Sequence, residues 1–239
     1  MSPDEPHEVY DRMAGAYATS NPDSAARAGY EWPAVREALP AVDGRRVLDA
    51  GCGTGHYSAL LAERGAEVVG ADASSGMLRA ARERQEGQQR VVRADLRTGL
   101  PFSDGAFDVV VSQLTLDHIE QWEPVVGEFA RVLREGGALV LSVDHPFTTY
   151  FVIDEETPEV GNAAAETASY LDVERFEKQW AGESMPTYRR PIQGVVGPLF
   201  DAGFAVTGLR EPEPTVDAEH LEYFEEHTPR FLVVRALKR

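Results

Sequence analysis

The stretch that decides the fold is VLDAGCGTGHYS, residues 47–58. An apolar pair leads to an acid, three glycines follow at alternate positions, and an apolar helical pattern begins at Tyr57. This order predicts a strand, a tight turn and a helix. Glycine reaches positive φ without a steric cost, so Gly51, Gly53 and Gly55 let a ligand lie against bare backbone. The start of the following helix adds unpaired N–H groups to that surface.

The glycine spacing also narrows the class of ligand. The dinucleotide-binding pattern G-x-G-x-x-G places its third glycine where this chain has His56. That glycine allows the helix to pack closely beside a pyrophosphate. Here the acid Asp49 precedes a G-x-G-x-G turn, and a carboxylate at that place repels a pyrophosphate. It suits a ligand with a cationic amino-acid end, such as S-adenosylmethionine.

Residues 47–58 resemble motif I of the class I S-adenosylmethionine-dependent methyltransferases, and the resemblance extends over residues 45–143. It implies a Rossmann-like α/β fold with a seven-stranded, mostly parallel sheet in the order 3-2-1-4-5-7-6 and helices on both faces. It also implies an N-terminal helical cap. After strand 5 the pattern changes to a long, irregular stretch rich in aromatic residues, which predicts an inserted lid or extra strands. The activity expected from the resemblance is in-line transfer of a methyl group from S-adenosyl-L-methionine to a small-molecule acceptor.

The length of 239 residues suits one α/β domain with additions. We predict a single domain over 1–239, divided into a helical cap (1–40), a cofactor-binding core (45–143), a lid or insertion (144–190) and a C-terminal helix with a strand hairpin (191–239). No apolar run approaches the ~20 residues of a membrane span. The acidic N-terminus lacks the pattern of a signal peptide, and the single cysteine, Cys52, fits a reducing cytosol. We therefore expect a cytoplasmic protein without a metal site.

The net charge of the chain indicates which classes of partner it can bind. A formal net charge of −17 repels phosphate backbones, so we expect a small-molecule acceptor and neither nucleic acid nor membrane as partner. Oligomeric state is left open between monomer and homodimer. Lys178 and Lys238 are the only lysines among 23 basic residues. An acidic, lysine-poor surface is typical of proteins from salt-loving organisms, and a high-GC genome is the alternative explanation.

Strands and helices alternate from residue 45 to residue 143, which predicts parallel strands with crossover helices. The second strand ends in Asp72, about 20 residues after the glycine turn, where an acid can accept both ribose hydroxyls. The resemblance implies that Asp95, after the third strand, meets the adenine amino group; a turn residue is the alternative. The residues predicted to bind the cofactor are Tyr17, Asp49, Gly51, Cys52, Gly53, Gly55, Asp72, Ala73, Met77, Ala94, Asp95, Leu96, Gln113 and Leu114.

Two histidines follow the carboxyl ends of the fourth and fifth strands, where ligands of parallel sheets bind. We predict that His118 or His145 acts as a base or as a donor that orients the acceptor. The alternative for each is a structural hydrogen bond at a strand end.

Aromatic residues in the cap and the insertion are candidates for the acceptor site. Tyr10 and Tyr17 match a Tyr-Asp-x-x-Ala-x-x-Tyr pattern common in the cap of this family, where the later tyrosine lies near the methionine end or the substrate. Tyr150 and Tyr188 belong to an aromatic-rich insertion, and Arg190 is a candidate for an acceptor carboxylate. The alternatives are that the tyrosines only anchor the cap and lid, and that Arg190 pairs with a surface acid.

Two rival functions stay open at this point. One is an NAD-type oxidoreductase, which the missing third glycine disfavours. The other is a protein that binds S-adenosylmethionine without transferring its methyl group.

Overall fold

A seven-stranded sheet with helices on both faces forms the centre of the protein. The computed structural model describes residues 5–20, 27–84, 90–151, 169–180, 182–213 and 228–239. Its helices are α1 (Pro6–Ser20), α2 (Trp32–Ala38), α3 (His56–Ala62), α4 (Ser75–Arg84), α5 (Glu123–Val132), α6 (Pro146–Phe151) and α7 (Ile192–Asp201). Its strands are β1 (Arg46–Ala50), β2 (Glu67–Asp72), β3 (Arg90–Arg93), β4 (Phe107–Gln113), β5 (Leu133–Asp144), β6 (Glu174–Trp180), β7 (Glu183–Arg189), β8 (Phe204–Arg210) and β9 (Phe231–Lys238).

The strand order of the sheet is β3-β2-β1-β4-β5-β9-β8. The first five strands run parallel, and β9 pairs antiparallel with both β5 and β8. Because β6 and β7 form a separate hairpin, the large sheet counted by itself has the order 3-2-1-4-5-7-6. The predicted fold class is confirmed.

The central strands are buried on both faces, as their continuous apolar sequences predict. On one face Leu48 and Val110 pack in a cluster with helices α5 and α7; on the other Val47, Val109 and Val111 pack with α2 and α3. All five side chains are at most 1% exposed. These two cores hold β1 and β4 in register, and the site lies at the carboxyl ends of this pair.

The fifth strand differs from the sequence prediction. The glycines at 136 and 137 predict that the strand begins at Ala138, but β5 begins at Leu133 and passes through both. Gly136 has φ +68°, and the pairing register with β4 shifts between Phe107 and Val109. The glycines therefore make a bulge inside a longer strand rather than ending a loop.

The predicted N-terminal cap is present as α1, a π-helical turn (Arg27–Glu31) and α2. Asp11 docks α1 onto the start of α4, since its carboxylate accepts from Ser74 Oγ at 2.6 Å and from the Gly76 backbone N–H at 2.7 Å. A Cβ on Gly76 would lie only 3.0 Å from Ala14 and from the Asp11 carbonyl oxygen, so glycine permits the close approach. This contact places α1 over the cofactor-binding end of the sheet.

The insertion after β5 contains α6 and the β6–β7 hairpin, while residues 152–168 lie outside the described part of the chain. Lys178 of β6 lies 2.6 Å from Asp144, whose backbone N–H donates to Asp117 at 3.0 Å. Burial and the nearby Asp144 raise the pKa of Asp117 to about 7. Arg12 of α1 pairs with Glu183 of β7 at 2.9 Å, so the hairpin is joined to both the sheet and the cap. Among the described residues, no helix is long and apolar enough to cross a bilayer.

Candidate active site

A cleft of about 1070 Å³, counted to its open mouth, lies across the carboxyl ends of β3, β2, β1 and β4. Helix α1 and the segment after β4 form its far walls. Apolar and aromatic groups dominate the lining, with a few converging acids. This composition is typical of a small-molecule or cofactor site.

The glycine turn forms the floor of the cleft. Gly51, Gly53 and Gly55 have φ of +84°, +52° and +69°, so each uses the left-handed region that glycine favours. A Cβ on Gly51 would lie 2.1 Å from the hydroxyl of Thr115, whereas a Cβ on Gly53 would meet nothing within 4 Å. The lack of a side chain at Gly51 therefore lets Thr115 pack against the turn, whereas at Gly53 it leaves room in front of the backbone for a ligand.

Asp72, at the end of β2, is held by two backbone donors. One carboxylate oxygen accepts from Gly53 N–H at 2.9 Å and the other from Ser74 N–H at 2.8 Å. Burial raises the pKa of Asp72 despite these bonds. Each carboxylate oxygen has a second lone pair, so the fixed carboxylate keeps acceptor capacity toward the cleft.

Asp49 is the second acid of the floor and is 2% exposed. Its carboxylate accepts from Ser58 Oγ at 2.5 Å. Burial, assisted by the negative charge of Asp72, raises the pKa of Asp49 to about 6. Two carboxylates that both resist ionisation favour a ligand carrying positive charge.

Asp95 lies at the opposite end of the cleft, after β3. It accepts from the Arg97 backbone N–H at 2.9 Å and begins the 3₁₀ turn Leu96–Thr98. Arg97 pairs with Asp95 and with Glu5, each at 2.7 Å. Despite partial burial, the hydrogen bonds and the positive charge of Arg97 hold the pKa of Asp95 below its usual value. The predicted turn role of Asp95 is thus present, and the residue also lines the cleft.

His118 lies on the wall of the cleft, in the 3₁₀ turn Leu116–His118 after β4. Its Nδ1 is 3.1 Å from the carbonyl oxygen of Pro186, and its Nε2 is 2.9 Å from the hydroxyl of Tyr10. A carbonyl can only accept, so Nδ1 carries a proton, and in the neutral ring the Nε2 lone pair accepts from the Tyr10 hydroxyl. The Tyr10 hydroxyl is thereby linked to His118 at the wall of the cleft.

Comparison with known proteins identifies the chemistry of this cleft. A family model described as a methyltransferase domain matches residues 48–141. A demethylmenaquinone methyltransferase of Beutenbergia cavernae is 30% identical over 234 residues, which cover 90% of this chain and 90% of that protein. The chain belongs to the class I S-adenosylmethionine-dependent methyltransferase family. It is an enzyme, and its cofactor is S-adenosylmethionine.

Two further comparisons extend the match. A crystal structure of an S-adenosylmethionine-dependent methyltransferase from Mesorhizobium loti has a TM-score of 0.73 and 29% identity, covering 87% of this chain and 97% of that one. A malonyl-[acyl-carrier protein] O-methyltransferase of Pectobacterium atrosepticum is 36% identical over 104 residues, 44% of this chain and 40% of that protein. The oxidoreductase and non-catalytic interpretations are therefore set aside.

The cleft of the methyltransferase fits its cofactor. Open space in front of Gly53, fixed acids at the ends of β1 and β2, and a buried tyrosine hydroxyl in the lining all provide for a polar, cationic ligand. Thirteen of the fourteen residues predicted to bind the cofactor line the cleft: Tyr17, Asp49, Gly51, Cys52, Gly53, Asp72, Ala73, Met77, Ala94, Asp95, Leu96, Gln113 and Leu114. Gly55 lies behind them as the N-cap of α3. Their individual roles toward the cofactor stay predictions.

Four residues predicted for catalysis or acceptor binding are placed elsewhere. His145 is 2% exposed; its Nε2 pairs with Glu211 at 2.9 Å, and its Nδ1 accepts from the Phe147 backbone N–H at 3.0 Å. Burial lowers the pKa of His145, which serves the start of α6 and does not line the cleft. These contacts are of the kind that the structural alternative predicts for this histidine.

The residues predicted in and beside the insertion also lie outside the described lining of the cleft. Tyr150 donates its hydroxyl to the carbonyl oxygen of Asp172 and is 4% exposed. Arg190 lies 4.3 Å over the ring of Trp122, donates to the carbonyl oxygen of Ile119 at 2.6 Å, and is not among the described residues that line the cleft. Tyr188 is half-buried in β7, away from the cleft. Tyr10, in contrast, lines the cleft beside His118.

Sequence reasoning missed a group of residues at the β4 end of the cleft. Trp32 stacks on His56 with ring centroids 4.5 Å apart, and Tyr57 packs beside them. Glu31, which precedes Trp32, is 0% exposed. The only signal for them in the sequence is an acid flanked by two aromatic residues before a proline, which does not reveal that α2 packs on α3.

Proposed function

We propose that the methyltransferase methylates a small acceptor that is uncharged or cationic, held between α1 and His118. The cofactor supplies a methyl group already activated by its positive sulfur. The chain supplies placement: its wall of aromatic residues and its glycine floor hold the acceptor atom, the methyl carbon and the sulfur in line.

The observation that carries this proposal is the hydrogen-bond chain Tyr10–His118–Pro186. It joins the cap, the segment after β4 and the insertion hairpin at the wall of the cleft. Because the Nε2 lone pair of His118 accepts from the Tyr10 hydroxyl, a proton that leaves an acceptor hydroxyl passes to His118 through Tyr10, and the Tyr10 oxygen orients the N–H of an amine acceptor. Helix α1 closes the same side and limits the access of water.

The charge of the cleft supports the acceptor class. Asp49, Asp72 and Asp95 line it, and the cation among its described lining residues, Arg97, is already paired with Asp95 and Glu5. A carboxylate acceptor would enter a negative site without a cation to receive it. Of the relatives' named substrates, demethylmenaquinone fits this restriction better than a malonyl group, which ends in a carboxylate. The net charge of −17 supports a small molecule over nucleic acid.

A panel of matched acceptors tests the proposal. Release of S-adenosylhomocysteine is measured with phenols, hydroquinones, amines and carboxylic acids of similar size. We expect turnover with members of the first three groups, and turnover restricted to carboxylic acids would contradict the acceptor class.

The role of His118 is tested by His118→Asn, whose amide can still donate to Pro186 but lacks Nε2. We expect kcat to fall by about 10²-fold or more, with S-adenosylhomocysteine binding retained. His145→Asn changes the histidine placed outside the cleft and is the matched comparison. Equal kcat values in the two variants would remove His118 from the mechanism.

A further inference from the structure

Glu31 is a fully buried acid that does not serve its own helix. It occupies the N-cap position of α2, yet its side chain makes no capping bond. The carboxylate instead faces the carboxyl ends of the central strands, where Oε1 accepts from Ser142 Oγ at 2.5 Å. A buried carboxylate is costly unless several donors satisfy it, so this orientation requires a compensating partner.

Gln113, the last residue of β4, is the second donor. With its amide turned so that the nitrogen faces Glu31, that nitrogen lies 3.1 and 3.3 Å from the two carboxylate oxygens. A carboxylate has no proton to give, so the amide must turn its nitrogen toward Glu31 and its oxygen to the opposite side. Since Gln113 lines the cleft, Glu31 determines which atom of the amide a ligand meets.

The strand order shows which part of the cofactor reaches Gln113. Asp95 follows β3, Asp72 ends β2 and Gln113 ends β4, and the order β3-β2-β1-β4 separates the first from the last by ~14 Å at the usual strand spacing. With the ribose at Asp72 and the adenine toward Asp95, the sulfur and the amino-acid head extend toward β4.

Tyr57 provides an independent observation at the same end. It lines the cleft and is 6% exposed, and its buried hydroxyl has no hydrogen-bond partner among the described residues. Burial, with the charges of Glu31 and Asp49, raises the pKa of Tyr57, so the hydroxyl stays a donor. A head group with both an ammonium and a carboxylate would use one acceptor and one donor here.

We propose that Glu31 is a positioning residue for the cofactor. It holds the Gln113 amide so that the amide oxygen accepts a hydrogen bond from the ammonium group of S-adenosylmethionine. The alternative occupant of this position is an amine of the methyl acceptor. The experiment below distinguishes the two because it measures cofactor binding in the absence of any acceptor.

The experiment compares two ligands by calorimetry. S-adenosylhomocysteine carries the amino-acid head, whereas 5′-deoxy-5′-methylthioadenosine has the same adenine, ribose and thioether without it. In Glu31→Gln we expect the Kd of S-adenosylhomocysteine to rise about tenfold or more, because a bond to a charged group is lost. The Kd of methylthioadenosine should stay within about twofold, since that ligand never reaches Gln113.

Gln113→Met removes the amide at similar size and carries the test should Glu31→Gln fail to fold. We expect the same selective loss, and the double variant should lose little more than either single one because both act through one contact. Equal losses for the two ligands would reduce Glu31 to a structural role. Unchanged affinity for S-adenosylhomocysteine would also overturn the proposal and leave the acceptor as the only partner of the amide.

Discussion

Asp49→Asn should change how stability depends on pH. In the folded protein burial raises the pKa of Asp49 to about 6 from the ordinary value of 3.8. A raised pKa means that the folded state holds the proton more tightly than the unfolded chain. Stability therefore falls as the pH rises from about 4 to about 6, and the full cost of ionising Asp49 is present above that window.

The size of the effect follows from the same shift. A difference of about two pH units corresponds to about 3 kcal/mol of unfolding free energy, at 1.36 kcal/mol per unit. The asparagine variant does not titrate, so its stability relative to the natural protein should increase by about 3 kcal/mol between pH 4 and pH 7. Any effect of the new amide on stability that does not depend on pH cancels when the values at pH 4 and pH 7 are compared.

Urea denaturation of both proteins at several pH values measures the prediction. Asp201→Asn is a suitable control because Asp201 is exposed at the end of α7, so its side chain is solvated in both the folded and the unfolded protein. A stability difference for Asp49→Asn that stays constant across the window would refute the reasoning, since it would mean that the buried carboxylate titrates normally.

Two further predictions concern the glycine floor and a surface acid. Gly51→Ala should lower stability by about 3 kcal/mol or more in denaturation experiments, because its Cβ would meet Thr115 at 2.1 Å with φ at +84°. Gly53→Ala meets no protein atom and should cost only about 1 kcal/mol while weakening S-adenosylhomocysteine binding; the reverse ranking would contradict the assignment of the floor. Glu128 has its pKa lowered to about 2 by Arg131, so its stabilisation is present above pH 4.5 and is lost as the pH falls toward 2. Glu128→Gln should therefore cost about 1 kcal/mol at neutral pH, allowing for solvent screening, and nothing near pH 2.

The cofactor end of the cleft could be predicted from the sequence because its signals are local. The glycine turn, the acid at the end of β2 and the alternation of strands each depend on a few neighbouring residues. The sheet then brings strand ends together by topology alone. This is why the sequence predicts Asp72 and Gln113 at one cleft, which both line, without knowledge of any tertiary contact.

The proposed acceptor site depends on contacts between distant segments of the chain. There the structure places His145 and Arg190 outside the described lining of the cleft, unlike the predictions. His118 and His145 follow equivalent strand ends, but β4 lies next to the glycine turn, whereas β5 lies one strand further away beside β9. The His145 backbone N–H bonds to the carbonyl oxygen of Arg230, which turns that residue toward β9. Nothing in the local sequence distinguishes the two histidines, and nothing near Arg190 reveals that it stacks on Trp122.

Three acids in and beside the cleft carry a cost of burial that a cationic cofactor would offset. Glu31, Asp49 and Asp72 are held by hydroxyl, amide and backbone donors, yet burial still raises the pKa of Asp49 and Asp72. A cationic ligand beside these acids favours their ionised forms. Its binding should therefore offset the free-energy cost of ionising buried carboxylates and stabilise the folded state. The stabilisation by S-adenosylmethionine should then be larger at pH 7, where Asp49 is ionised, than at pH 5. An apolar cleft would make a more stable protein, but it would lose the negative charge that we expect to favour this cofactor over a dinucleotide.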